Sequence, residues 1–158
     1  MIHTLVTYFS ASGVTKALAE RLADGVRGEL YEIAPLVPYS DDDLNWMDKQ
    51  SRSSLEMKDL SARPALKDHD APIADYDVIF VGFPIWWYRE PSIIDTFLEA
   101  YDFSGKTVIP FATSGSSGMG KAPNRIAELS KAKVLGSRRF SAKASERELK
   151  DWVRSLPI

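Results

Sequence analysis

Short runs of apolar residues alternate along the chain with segments in which apolar residues recur every three or four positions. The runs are rich in β-branched and aromatic residues, which is typical of strands, and an unbroken apolar run is typical of a parallel strand covered on both faces. Such runs predict strands at Leu5–Phe9, Val78–Phe83 and Thr107–Ala112. Glu29–Ile33, where polar and apolar residues alternate, is predicted as the second of four strands in chain order. Pro110 lacks an N–H, so we expect incomplete pairing within the fourth strand.

The intervening segments have the spacing of amphipathic helices. Val14, Leu18, Leu22 and Val26 lie four positions apart, and Gly28 stands where a glycine would end that helix. Similar patterns predict helices after Pro91, over about 119–131, and over 146–156. The segments 134–136 and 138–140 predict a short fifth strand that can carry a bulge.

Strands that alternate with helices favour a parallel sheet covered on both faces. We therefore predict an α/β fold, a doubly wound three-layer α/β/α sandwich, with residues 1–158 forming a single domain. The connection 35–72 is longer than one crossover requires, and long connections are often functional. Within it, Leu44, Trp46, Met47 and Leu55 form a weak helical pattern, with Asp43 as a candidate N-cap.

Composition removes several classes of function. The chain has no cysteine and two histidines, which excludes thiolate metal sites, iron–sulfur clusters and disulfides. It carries 20 lysine and arginine residues against 22 aspartate and glutamate residues. This balance predicts no nucleic-acid partner. Without an apolar run of membrane-spanning length or a signal segment, we expect no membrane insertion and a cytoplasmic location.

In open parallel sheets, ligands bind beyond the carboxyl ends of the strands, so the loops after the first, third and fourth predicted strands are the candidate site. The first loop, Ser10–Thr15, combines hydroxyl side chains and Gly13 with the start of a helix. Hydroxyl groups and free N–H groups at a helix start can hold a phosphate. The alternative is that Ser12 only caps the helix.

The second loop contains the consecutive aromatic residues Trp86, Trp87 and Tyr88. Three neighbours cannot all face the core, so we expect at least one at the surface, where it can stack on a flat ligand. The alternative is that they pack beneath the segment 35–72.

The third loop, Thr113–Lys121, is rich in glycine and serine, so its backbone N–H groups can reach a ligand. Gly115–Lys121 also fits the start of a triphosphate-binding loop. However, Ala122 stands where that loop needs a hydroxyl for Mg²⁺, and Pro123 follows it, so we do not expect a triphosphate site.

Taken in order, these three loops resemble those of the flavodoxin family. Ser10-x-Ser12-Gly13-x-Thr15 resembles its phosphate signature, and the loops after the third and fourth strands resemble its flavin loops. The resemblance covers nearly the whole chain. It implies a five-stranded sheet in the order 2-1-3-4-5 and noncovalent binding of FMN.

The resemblance also implies a role for each loop. The FMN phosphate would be held by Ser10, Ser12, Gly13, Val14 and Thr15. The isoalloxazine ring would be flanked on one side by Pro84, Ile85, Trp86 and Trp87. Its other side and polar edge would be lined by Thr113, Ser114, Gly115, Ser116 and Gly118. The segment 35–72 is expected to cover part of the cofactor.

The predicted function is electron transfer through FMN, with a redox partner protein or a small donor or acceptor. No side chain stands out as a catalytic acid, base or metal ligand, and no pair of carboxylates does. Arg89 and Lys121 lie in or beside the flavin loops. A cation near the ring would raise the two-electron potential, whereas the alternative for both is ordinary solvated surface charge.

Two alternatives remain open. One is a small FMN-dependent NAD(P)H:quinone-type reductase. The near-neutral charge disfavours electrostatically steered docking of a partner protein and so favours this reading, whereas the lack of a nicotinamide fingerprint speaks against it. The other alternative is a flavin-free module that binds a phosphate or a protein.

Overall fold

The computed structural model describes residues 2–158. Its strands are β1 (Thr4–Tyr8), β2 (Glu29–Glu32), β3 (Val78–Pro84), β4 (Thr107–Thr113), β5 (Lys133–Val134) and β6 (Arg138–Phe140). Its helices are α1 (Val14–Val26), α2 (Arg52–Lys58), α3 (Ser92–Ala100), α4 (Ala122–Ser130) and α5 (Glu146–Ser155), with a short 3-10 helix at Ile73–Asp75.

The sheet is parallel throughout and has the order β2-β1-β3-β4-β5, with β6 also pairing with β4. The predicted strand order is therefore confirmed, and the expected fifth strand consists of two short pieces. Each piece pairs with a different end of β4: β5 with Thr107 and Val108, and β6 with the segment 111–113.

Alternating side chains of the sheet enter two separate cores. On β3, Ile79, Val81 and Phe83 join one apolar cluster with α3 and α4. Val78 and Phe80 join the other cluster, with α1 and α5. This period of two is what a strand buried on both faces produces, and it gives the three predicted layers.

Pro110 leaves the ladder with β3 intact, and the incomplete pairing expected there falls on the other side, at a break in the neighbouring strand. It pairs in register with Val81 on β3. The carbonyl of Val108 accepts from Leu135 on the other side, and residues two apart face the same neighbour. The backbone nitrogen of Pro110 therefore faces the gap between β5 and β6, so its missing N–H removes no hydrogen bond from the sheet.

The end of α1 differs from the prediction. Arg27, and not Gly28, takes the left-handed conformation, with φ of 53°. Gly28 is needed for space, because a Cβ there would lie 2.9 Å from the carbonyl oxygen of Thr4. Its N–H donates to the Ala23 carbonyl and closes the helix.

The segment 35–72 contains one short helix in place of the predicted longer pattern. The helix α2 begins after Ser51, whose hydroxyl accepts from the N–H of Ser54. The prediction of Asp43 as a helix N-cap was wrong, because its carboxylate accepts from the N–H of Ser40 in a turn. Trp46 and Met47 also lie in turns and are 71% and 74% exposed.

Within residues 2–158, none of the helices combines the length and apolarity needed to cross a bilayer.

Candidate functional site

The first loop leads directly into α1, so the first turn of the helix lies next to this loop. Gly13 precedes the helix with φ of 94°, a left-handed value that glycine adopts without strain. Its N–H donates to the hydroxyl of Ser10, 3.1 Å away. Within residues 2–158, no side chain caps α1, so the capping alternative for Ser12 was wrong. The N–H groups of the first helical turn remain available to an anion.

Thr15 and Thr113 join the first loop to the third. Their hydroxyl oxygens lie 2.8 Å apart, and both residues are buried. Thr113 also joins the second loop, because its carbonyl accepts from the N–H of Ile85 at 3.0 Å. The ends of β1, β3 and β4 therefore bring the three predicted loops together at Thr113.

Trp86 is half-buried in an aromatic cluster at the start of the second loop. Its ring meets Phe9 and Tyr39 edge-on, with centroid distances of 5.6 and 5.5 Å. Tyr39 comes from the segment 35–72, and the guanidinium of Arg52 lies 3.8 Å from its ring centroid. The alternative that the aromatic residues pack beneath this segment therefore holds for Trp86 alone.

Trp87 and Tyr88 form an exposed turn with unusual backbone angles. Their φ values are 49° and 62°, and the two side chains are 44% and 68% exposed. The expectation of surface aromatics is thus met. Backbone bonds in both directions between Trp86 and Arg89 close the turn, at 3.1 and 3.2 Å. Two consecutive left-handed residues make a type I′ turn, which usually contains asparagine and glycine. Bulky aromatic residues there store strain.

This turn rests on the third loop. The N–H of Lys121 donates to the carbonyl of Tyr88 at 3.2 Å. A Cβ at Gly120 would lie 2.1 Å from the same carbonyl oxygen. The close approach of the two loops therefore requires a glycine at position 120.

Arg139 on β6 organises the third loop and was not predicted. Its guanidinium donates to the hydroxyl of Ser114 at 3.0 Å and to the carbonyl of Gly115 at 2.6 Å. The N–H of Ser114 donates in turn to the carbonyl of Phe140. Gly115, Ser116 and Gly118 remain exposed beyond this anchor. The only sequence signal was an arginine pair in the expected fifth strand.

A buried charge cluster lies behind the second loop. Glu90 and Asp95 are fully buried, and Arg125 bonds both, with distances of 2.9 Å to Glu90 Oε2 and 2.6 Å to Asp95 Oδ2. Arg89 is also buried and bonds the carbonyl of Met57. The surface-charge alternative for Arg89 was therefore wrong. The pair of buried carboxyls had no counterpart among the residues that the sequence singled out. Burial, reinforced by Asp95, raises the pKa of Glu90 to about 8.

Two open clefts adjoin the loops. One of about 300 Å³ lies beside Ser10, between Phe9 and Tyr39. The other, of about 500 Å³, lies beside Trp87. It is lined by Trp46, Met47, Lys49, Ser54 and Lys58. The segment 35–72 therefore forms walls on both sides of the aromatic cluster.

A doubly wound sheet in the order 2-1-3-4-5, with its polar loops at the carboxyl edge, is the architecture of the flavodoxin-like α/β proteins. A sequence model of the flavodoxin family matches residues 3–156. The chain therefore belongs to the flavodoxin family, as the resemblance predicted.

Solved structures show the same relationship. A candidate flavoprotein from Bacteroides uniformis is 46% identical, with a TM-score of 0.93 over 98% of this chain and 99% of that protein. A flavoprotein from Lactobacillus acidophilus, solved in complex with FMN, is 23% identical, with a TM-score of 0.71 over 97% of this chain and 99% of that protein. At 23% identity, the similarity to the Lactobacillus protein shows a shared fold alone.

One curated relative is an NAD(P)H dehydrogenase (quinone) from Chromohalobacter salexigens. It is 36% identical over 90 residues. The match spans 53% of this chain and 39% of the relative, so it extends over less than half of that protein's length.

Proposed function

We propose that residues 1–158 form one domain that binds FMN noncovalently and transfers electrons between the flavin and a second redox centre. The observation that carries the proposal is the junction at Thr113, where a hydroxyl-rich loop, an aromatic loop and a glycine-rich loop meet. These three surfaces suit the phosphate, the flat ring and the polar ring edge of FMN. When bound, FMN supplies the electron transfer itself.

The loops have room for such a group. A Cβ added at Gly13, Gly115 or Gly118 would meet no atom within 4 Å. Open space at all three glycines lets the backbone approach a ligand. The uncapped first turn of α1, as the structure describes it, offers N–H donors suited to a phosphate. The residues present therefore fit FMN.

In this proposal each loop has a separate task. Ser10, Ser12 and Thr15 donate hydroxyl hydrogen bonds to the phosphate, with the backbone of Gly13 and Val14. Pro84, Ile85, Trp86 and Trp87 flank the ring and exclude water from one face. The remaining face and edge belong to Thr113, Ser114, Gly115, Ser116 and Gly118.

FMN titration of the purified chain tests the proposal, with flavin fluorescence as the readout. We expect a saturable complex with quenched fluorescence. Thr15→Ala should weaken FMN binding by about 1–3 kcal/mol, because a phosphate oxygen loses a donor. Riboflavin affinity should change little, since riboflavin has no phosphate. Equal losses for both ligands would disprove the phosphate assignment, and no complex at saturating FMN would favour the flavin-free alternative.

A second candidate function is reduction of a small diffusible acceptor such as a quinone, with NAD(P)H as the donor. The cleft beside Trp87 favours it, because about 500 Å³ is enough for one small ligand. The name of the Chromohalobacter relative points to the same chemistry.

Anaerobic stopped-flow mixing of the FMN-loaded protein with NAD(P)H separates the two candidates. Rapid loss of flavin absorbance supports the reductase, whereas an unchanged spectrum rules out direct reduction and leaves the electron carrier. If the cleft holds the acceptor, Trp46→Ala should raise the KM for a quinone and leave FMN affinity unchanged. Leu60→Ala, at another exposed apolar residue of the segment 35–72, is the matched control.

A further inference from the structure

Glu90 and Asp95 lie side by side behind the ring-flanking loop. Arg125 spans them through Nε and one terminal nitrogen, and a terminal nitrogen of Arg89 lies 3.6 and 3.5 Å from the same two carboxyl oxygens. Because single guanidinium groups reach both carboxyls, the two groups are close neighbours. Neither is among the residues that would contact FMN.

Each carboxyl has one oxygen that the arginines do not satisfy. In the described part of the chain, Glu90 Oε1 and Asp95 Oδ1 are buried and have no hydrogen-bond partner. A buried carboxylate oxygen without a donor is costly. One proton held between these two oxygens would remove this cost, because a protonated carboxyl donates to its ionised neighbour.

Three arginines approach the pair, and they differ in burial. Arg89 is nearly as buried as the two carboxyls. Arg125 from α4 and Arg63 from the segment 35–72 reach the pair from the edge, and Arg63 also bonds the exposed Glu99. A single shared proton leaves one buried anion beside the one deeply buried cation. Two carboxylates at such close range repel each other, and this repulsion favours the state in which they share one proton.

The pair is connected to the strained turn through Arg89. The backbone of Arg89 closes the turn with Trp86. Its guanidinium donates to the carbonyl of Glu90 and to that of Met57, at 3.1 and 3.2 Å. The left-handed angles of Trp87 and Tyr88 need such an anchor, because strained backbone persists only where its surroundings hold it.

We propose that Glu90 and Asp95 share one proton, and that this pair positions the Trp87–Tyr88 turn against the flavin ring. The second half rests on the proposed FMN binding. Both carboxyls are positioning residues that act through Arg89. Loss of the shared proton at high pH places two adjacent anions in the interior, loosens the turn and weakens FMN binding. The raised pKa of Glu90 has the direction that sharing requires.

Carboxyl ¹³C NMR titration of the full chain without FMN tests the first half. We expect one of the two carboxyls to remain protonated well above the ordinary range of about 4 for Asp and Glu, while the other is ionised. Titration of both groups within that ordinary range would overturn the shared proton. The measurement uses the unaltered chain, so it depends neither on a variant nor on FMN.

FMN affinity from about pH 7 to pH 9 tests the second half, above the phosphate pKa of about 6. Wild type should lose affinity about tenfold over this range, because the loss of one proton per complex costs tenfold for each pH unit above the pKa, and a pKa of about 8 leaves one such unit. Glu90→Gln keeps a donor toward Asp95 at every pH, so its affinity should stay near the wild-type value at pH 7 and remain level. Glu148→Gln, at a surface ion pair with Arg138, should follow wild type.

The shared proton and the positioning of the turn can be disproved independently of each other. A level wild-type curve, or a Glu90→Gln curve that falls like wild type, would overturn the positioning role even where NMR shows the shared proton. Failure of FMN to bind at any pH would overturn that role together with the proposed function. The NMR titration would still decide whether the proton is shared.

Discussion

The hydroxyl oxygens of Thr15 and Thr113 lie 2.8 Å apart, although 98 positions separate the two residues along the chain. Thr15 is in the first turn of α1, and Thr113 ends β4. The same Thr113 accepts through its carbonyl from Ile85. One residue therefore sets the spacing between the phosphate-type loop and the two loops that would hold the ring.

Thr113→Val tests the importance of this contact. Valine keeps the shape of threonine and its preference for strands but removes the hydroxyl, so Thr15 loses its partner. We expect FMN affinity to fall by about 1 kcal/mol, the usual worth of one hydrogen bond. Fluorescence titration measures the change. Thr107→Val, at the opposite end of the same strand, should leave the affinity unaltered, and equal losses in both variants would show a general effect on β4.

Gly120→Ala should separate the second loop from the third. The added Cβ would lie 2.1 Å from the backbone oxygen of Tyr88, and φ of 54° at this position disfavours alanine. We expect the free energy of unfolding to fall by about 1–3 kcal/mol, the usual cost of strained backbone, and FMN affinity to fall with it.

Gly25→Ala is the matched control for that variant. Gly25 lies within α1, and a Cβ there meets nothing within 4 Å. Because alanine favours helix over glycine, this variant should gain about 0.5–1 kcal/mol. Urea unfolding compares the two. A stable Gly120→Ala protein with unchanged FMN affinity would show that the two loops need not touch.

Tyr88→Gly should stabilise the chain, although it removes a large side chain. Tyr88 is 68% exposed and has φ of 62°, so glycine loses little packing and removes the strain. We expect a gain of about 0.5–1 kcal/mol in the free energy of unfolding. Leu60→Gly, at a similarly exposed position, should lose stability, because glycine there only adds freedom to the unfolded chain. Destabilisation of equal size in both variants would contradict strain at Tyr88.

The sheet and the three loops were predictable because their signals are local. An apolar run such as Val78–Phe83 identifies a buried strand wherever it lies, and Ser10–Thr15 carries its polar groups within six positions. Its hydroxyl groups and the helix start were enough to predict a phosphate site. The strand order and the assignment of that phosphate to FMN came from the resemblance, since no local pattern states which strands pair.

Contacts between distant residues were not predictable in this way. Arg139 anchors the third loop only because β6 pairs with the end of β4. Glu90 and Asp95 meet Arg125 only after α3 packs on α4. Arg89 was misjudged for the same reason, since an arginine beside an exposed aromatic turn has no local sign of burial. The charged residues that support the site are therefore identified only once the tertiary structure is known.

The buried Glu90 predicts that stability falls as pH rises. Its pKa increases from 4.5 to about 8 on folding, so between these values the folded chain holds a proton that the unfolded chain has released. Stability is then fully present below about pH 4.5 and declines until about pH 8. Urea unfolding across this range should show the decline in wild type and a flatter profile in Glu90→Gln. Glu148→Gln should keep the wild-type slope, and parallel profiles for wild type and Glu90→Gln would show that Glu90 is ionised in the folded chain.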